Sequence, residues 1–164
     1  LEGIKMIKDN LILAYENGNN QIARANMLAT SSMGSIAFQK GLGAIHSLSH
    51  PVGAIYNTHH GLTNAVFMPY VLKRNKDEIE KKIINLSRYL NLKNTSFNSF
   101  MEWILDLRQK LNIPHTLKEL IEEDNLLEKM SEMALADPST STNPIELNKE
   151  DFLKLYENSF NGIL

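Results

Sequence analysis

Apolar positions recur along most of this chain at intervals of three and four residues, the spacing of one face of a helix. Ile4, Ile7, Leu11 and Tyr15 make a first stripe that stops at Asn17-Gly18. Asn20 is placed to cap a second helix running to about Phe38, whose small residues Ala23, Ala25, Ala29, Ser32, Gly34 and Ala37 allow close approach of a neighbour. Further on, Asn75 with Glu78 predicts a helix start, with Ile79, Ile83, Leu86 and Leu90 on the buried face. Phe97, Met101, Ile104 and Leu105 mark another helix. Thr116 with Glu119 has the form of a capping box leading into Leu120, Ile121, Leu127, Met130 and Met133. Asn148 is placed to cap a last helix carrying Phe152, Leu155 and Tyr156. No segment shows strand alternation and no repeat is present. The pattern predicts an all-α, multi-helix bundle of roughly seven to nine helices, residues 1–164 forming a single helical domain.

One segment departs from this amphipathic rule. From Gly41 to Leu72 the sequence reads GLGAIHSLSHPVGAIYNTHHGLTNAVFMPYVL, 32 residues without Asp, Glu, Lys or Arg and containing four of the five histidines. At the chain's 22% charged content, such a length would carry about seven charges, and unpaired charges are the side chains least often fully buried. The run is therefore expected to lie shielded at the centre of the bundle, with Pro51 and Pro69 kinking or breaking any helix through them. Residues 1–72 hold only four basic and three acidic groups, against 13 and 16 in residues 73–164. The later residues read as a solvated scaffold whose charge runs, Lys76 to Lys82 and Glu119 to Asp124, are exposed helix faces.

Bulk properties narrow the chemistry. A net charge of −2 gives no electrostatic reason to expect nucleic acid or an anionic membrane as partner. The uncharged run is long enough to cross a bilayer, but its prolines, asparagines and histidines argue against a membrane span. With no cysteine, disulfides and thiolate sites are excluded, any metal would be held by imidazole and carboxylate, and a cytoplasmic location is expected. The chain opens on Leu1 rather than Met and enters an amphipathic pattern at once, which reads as a cut end.

Histidine is the side chain that stays neutral in a shielded place and still offers a lone pair to a metal or a proton to a substrate. His46 and His50 are four apart, so on a helix they share a face with Cβ atoms about 5–6 Å apart. They could bind a metal together, set a ligand beside a catalytic imidazole, or be two hydrogen-bonded core imidazoles. The zinc-protease motif is excluded, because Ser47 stands where it needs a Glu base. His59-His60-Gly61 then follows a turn at Tyr56-Asn57-Thr58. Four histidines in 15 residues are hard to explain by packing, since an unsatisfied buried imidazole costs about 1–3 kcal/mol.

The string from Gly41 to Leu72 resembles the histidine-rich segment of the iron-containing (group III) alcohol dehydrogenases, of the dehydroquinate synthase-like superfamily. AFQKGLGA before it, NIPHTLKEL at 112–120 and STNPIELNKEDFLKLY near the end extend the resemblance over essentially all 164 residues, as the C-terminal helical domain of such an enzyme. The resemblance implies that His46 and His60 are metal ligands and that His50, between metal and nicotinamide, has a proton-transfer or substrate-orienting role. It implies that Phe38 and the Gly41-Leu42-Gly43 turn line the substrate and nicotinamide end of the cleft. His59 receives no ligand role, and His115, after Ile113-Pro114, reads as a surface histidine.

The implied activity is hydride transfer between a small alcohol or aldehyde and NAD(P), with Fe(II) or Zn(II) polarising the alcohol oxygen. The family's other two ligands, an Asp and a His four residues later, are not found: Leu13 follows Asp9 by four, and no His precedes His46. A nucleotide-binding domain, needing on the order of 100–150 residues, is not found either. The 164 residues are thus expected to be inactive alone and to self-associate as a homo-oligomer through apolar surface. Two other readings remain open at this stage: a non-enzymatic helical interaction module with relic histidines, and a zinc polyol dehydrogenase of the same superfamily.

Overall fold

A computed structural model describes all residues from Leu1 to Leu164. No strand forms. Eight α-helices follow one another: α1 (Glu2–Glu16), α2 (Gln21–Ala37), α3 (Gly43–Tyr56), α4 (His60–Arg74), α5 (Lys76–Tyr89), α6 (Phe97–Lys110), α7 (Leu127–Ala136) and α8 (Lys149–Asn161). Short 3₁₀ turns occupy Phe38–Lys40, Leu117–Glu119 and Pro138–Thr142. The all-α architecture is the one the periodicity predicts. By backbone proximity the chain forms two compact units, Leu1–Lys40 with Glu80–Leu111 and Gly41–Ile79 with Asn112–Leu164.

In the first unit, α1 and α2 form an antiparallel-type pair joined by a short turn, with Asn20 capping α2 through its Oδ1 on the Ala23 N–H at 3.1 Å. Asn26 Nδ2 donates to Asn10 Oδ1 at 2.8 Å between the two helices. No residue of α1 and only Ala23 and Thr30 of α2 are fully buried. Ile22, Leu28 and Ile36 are 72–77% exposed. The low charge of this region therefore does not track burial within the chain. Ile83, Leu86 and Leu90 of α5, with Phe97, Phe100 and Ile104 of α6, are buried as their spacing predicts.

The second unit holds the main core. Leu48 and Val52 of α3, Val66 and Phe67 of α4, Leu117, Met130 of α7, and Phe152 and Tyr156 of α8 are all fully buried and belong to one cluster. Asn148 caps α8 as expected, with Asp151 closing the reciprocal bond. Tyr156 sits fully buried and donates its hydroxyl to the Leu48 carbonyl at 2.7 Å.

The structure refines three local expectations. Pro51 and Pro69 do not end their helices; both are buried inside α3 and α4. An interior proline costs about 3 kcal/mol, but each fully buried Leu, Val or Phe contributes about 1.5–3 kcal/mol, and these two helices supply four of them. α5 starts at Lys76, directly after Asn75 as expected, but the Asn75 side chain does not cap it; the Asn75 carbonyl accepts the Glu78 and Ile79 N–H groups at 3.1 and 3.2 Å. Asn75 also ends α4, and its buried amide pairs reciprocally with Asn143 at 2.9 and 3.0 Å. The single helix expected from Thr116 is split into the Leu117–Glu119 turn and α7. Glu119 does reach back to the Thr116 N–H at 2.9 Å, but the acidic run Glu122-Glu123-Asp124 interrupts the helix behind it.

Leu48→Ala is expected to lower unfolding stability by about 2–5 kcal/mol, whereas Ile22→Ala should stay within about 0.5 kcal/mol. Urea denaturation of the two variants beside the parent measures both; comparable losses would contradict this placement of the core.

Candidate functional site

The open end of α3 and the start of α4 bring three of the histidines together. His46 and His50 project from one face of α3, one turn apart, and His60 begins α4 after the tight turn at Asn57, whose φ of 54° places it in the left-handed region that asparagine tolerates. Ring centroids lie 5.7 Å apart for His46 and His50, 5.1 Å for His46 and His60, and 5.4 Å for His50 and His60, the last pair nearly parallel. His50 and His60 are exposed and His46 half-buried, so the cluster forms an accessible polar rim on a buried scaffold. The uncharged character of the run has two sources: one face of each helix is core, and the other is given over to neutral imidazoles.

Asn64 sets the geometry between His46 and His60. Its Nδ2 lies 3.2 Å from His46 Nε2 and 3.0 Å from His60 Nε2, and its Oδ1 is buried without a hydrogen-bond partner. An amide group donates two hydrogens, so both Nε2 atoms accept from it and both lone pairs aim at one small volume. Behind His46, the Leu42 backbone favours the charged imidazole. His46 has its pKa lowered below the ordinary imidazole value, first by burial, then by the His60 and His50 rings, against the Leu42 bond and Asp137.

His50 is held differently. Its Nδ1 lies 2.7 Å from Asp137 Oδ2, and Asp137 Oδ1 accepts the Ser139 N–H at 2.8 Å as cap of the Pro138–Thr142 turn. Burial by itself would raise the Asp137 carboxyl, but the His50 and Ser139 hydrogen bonds outweigh it and hold the pKa below the usual range. Asn64 and Asp137 were not singled out from the sequence. Asn64 stands four residues after His60, a spacing that marks a shared face; Asp137, 87 residues from His50, carries only the local signal of an Asp-Pro turn.

The remaining histidines lie elsewhere. His59 caps α4, its Nδ1 accepting the Leu62 N–H at 3.2 Å. His115 is exposed, its ring 6.3 Å from that of Tyr70 and its carbonyl accepting the Tyr70 hydroxyl at 2.7 Å. Phe38 lies in the first unit, 57% exposed. Gly41 and Gly43 have positive φ, and a Cβ on Gly41 would fall 2.3 Å from Thr142 Cβ, so packing against Thr142 by itself demands glycine there.

As a donor set, His46 and His60 fit a divalent metal: two imidazole Nε2 atoms, each placed to accept from Asn64, converge on one volume that the amide fills with a hydrogen-bond donor. No three His, Asp or Glu side chains of this chain are grouped to share one ion, because His50 is turned to Asp137.

Known proteins share this architecture. The model of the Fe-containing alcohol dehydrogenase family, C-terminal, matches residues 1–160. The NADPH-dependent butanol dehydrogenase of Clostridium saccharobutylicum is 32% identical over 99% of this chain and 44% of its own length. The 4-hydroxybutyrate dehydrogenase of Cupriavidus necator is also 32% identical, over 97% of the chain and 44% of its length. Among solved structures, a 1,3-propanediol oxidoreductase superposes with a TM-score of 0.92 at 27% identity, covering 97% of this chain and 44% of that one. The chain thus spans less than half the length of these relatives.

The lowered pKa of His46 has a consequence for stability. Between its folded value and the unfolded 6.5, the unfolded chain binds more protons, so stability is complete above about pH 6.5 and is lost as pH falls through the folded value. In chelator-treated samples, His46→Gln is expected to flatten the loss of urea stability between about pH 7.5 and 5. An unchanged slope in that variant would show that His46 is not the group responsible.

Proposed function

This chain belongs to the Fe-containing alcohol dehydrogenase family, over its C-terminal part, and we propose that it supplies the metal-binding and proton-handling half of an NAD(P)-linked alcohol dehydrogenase. The observation that carries this reading is the convergence of His46 Nε2 and His60 Nε2 on one volume at the Asn64 amide. In the proposal these two imidazoles hold Fe(II) or Zn(II), and Asn64 yields the volume to the ion. Imidazole suits either metal, and the family description favours iron. When bound, such an ion acts as a Lewis acid on the alcohol oxygen.

The chain's own residues have separable tasks. The Asn64 amide, donating to His46 Nε2, keeps the ring oriented and that nitrogen an acceptor. Asn64, one turn from His60, keeps both lone pairs aligned before an ion arrives. His50, with Nδ1 engaged by Asp137, has Nε2 left to exchange a proton with the substrate hydroxyl. The substrate is a small alcohol or aldehyde, in keeping with relatives named for butanol, 4-hydroxybutyrate and 1,3-propanediol. Gly41 and Gly43 border the nicotinamide end of the site in this proposal. Their close contacts with Thr142 and Asn143 fix the turn that enters α3.

A catalytic zinc site typically has three protein ligands, and this chain brings two imidazoles to one point. The 164 residues by themselves are therefore expected to bind metal weakly and to lack dehydrogenase activity. The exposed apolar side chains of α2 favour self-association into a homo-oligomer.

Joined to a nucleotide-binding half of the family, the chain should become a metal-dependent dehydrogenase. In that protein His46→Ala and His60→Ala should lose metal, whereas His50→Ala should keep it and turn over about 10²–10⁴-fold more slowly. Metal analysis with steady-state kinetics checks the division; equal metal loss in all three variants, or equal loss in His115→Ala, would contradict it.

A further inference from the structure

The turn between α7 and α8 is fastened along the length of α3 by side chains nearly a hundred residues away in sequence. Thr142 Oγ1 accepts the Leu42 and Gly43 N–H groups, both at 3.1 Å, and Asn143 Oδ1 accepts the Ala44 N–H at 3.2 Å. These bonds occupy the first amides of α3, which has no side-chain cap of its own. Asn143 is in turn locked to Asn75. One turn further along, Thr140 Oγ1 lies 2.8 Å from Ser47 Oγ and donates to the Ala134 carbonyl at 2.7 Å. At the next turn of α3, Asp137 meets His50. The carboxylate is therefore placed against α3 by a row of independent bonds, and its side chain is only 13% exposed.

We propose that Asp137 is a positioning residue for His50. It holds the imidazole as the Nδ1–H form, in a fixed ring orientation, and so leaves Nε2 as an unprotonated acceptor on the open side. A neutral imidazole in water favours the opposite form, with hydrogen on Nε2, so the carboxylate reverses the default. Its two oxygens have distinct duties. Oδ1 is committed to the Ser139 N–H, and only Oδ2 faces His50. A carboxylate is acceptor-only, so the nitrogen opposite Oδ2 must carry the hydrogen. The His50 ring, stacked 5.4 Å from His60, is kept from turning away by the same bond.

The separation of duties makes one substitution decisive. In Asp137→Asn the amide oxygen must stay on the Ser139 N–H, because that donor needs an acceptor. The NH₂ group then faces His50 Nδ1, which has to accept, and the hydrogen moves to Nε2. The shape and the turn's cap are kept. Long-range ¹H–¹⁵N spectra of the metal-free chain at about pH 9, above the ordinary imidazole range, report each ring's form directly. The parent should show His50 as Nδ1–H, and Asp137→Asn should show it as Nε2–H, with the His46 and His60 signals unmoved as proof that the fold is retained. Nε2–H in the parent would overturn the proposal without need of any variant, as would a variant whose His50 form does not change.

The catalytic consequence rests on the proton role proposed for His50, and the two can fail separately. In the complete dehydrogenase, Asp137→Asn should lower kcat by about 10²-fold or more with KM and metal content unchanged. A reversed imidazole with full kcat would leave the positioning role standing and remove the proton role of His50.

Discussion

The N-terminus of α3 has no cap from its own sequence, and the satisfaction of its first amides by Thr142 and Asn143 is the constraint on which the site depends. Unpaired N–H groups at a partly buried helix end would cost about 1–3 kcal/mol each. Meeting that need brings the 137–143 turn alongside α3, and with it Asp137 to His50. It also explains two glycines. Gly41 lies so close to Thr142 that a side chain would collide, and Gly43 takes a positive φ against Asn143. The distance along the chain between these partners, 99 and 100 residues, means that the site is a product of the tertiary fold of the second unit.

Behind this frame the apolar faces of α3 and α4 do the packing. Leu48, Val52, Val66 and Phe67 are fully buried, and the Tyr156 hydroxyl is bonded to the Leu48 carbonyl. Such a rigid back face allows the opposite face to carry three histidines at fixed separations of 5.1–5.7 Å between rings. Preorganisation matters because both metal binding and proton transfer are sensitive to misplacement on the scale of an ångström. The site is built on helices and one strapped turn, and each imidazole has its second nitrogen or its lone pair engaged by a named partner.

How much of this could be read from residues alone depended on the range of the interaction. Helices with a clean 3.6-residue stripe and a local cap, such as α2 behind Asn20 and α8 behind Asn148, were legible because cap and stripe lie within one or two turns. That α3 and α4 continue through Pro51 and Pro69 was not legible, because the local penalty is set against tertiary burial that periodicity does not reveal. The helix start after Asn75 was legible, but the pairing of its amide with Asn143, 68 residues away, was not. The grouping of His46, His50 and His60 follows from one i,i+4 pair and one short turn. Asp137 did not emerge, since nothing local ties it to a histidine 87 residues earlier.

Whether His46 and His60 present two Nε2 lone pairs to a single ion is tested most directly by X-ray absorption of the zinc-loaded chain. The expected spectrum shows two imidazole nitrogens at about 2.0–2.1 Å from the metal, completed by oxygen, and loses the imidazole scattering in the His46→Ala/His60→Ala double variant. A shell without imidazole, or imidazole scattering that persists in the double variant, would contradict it.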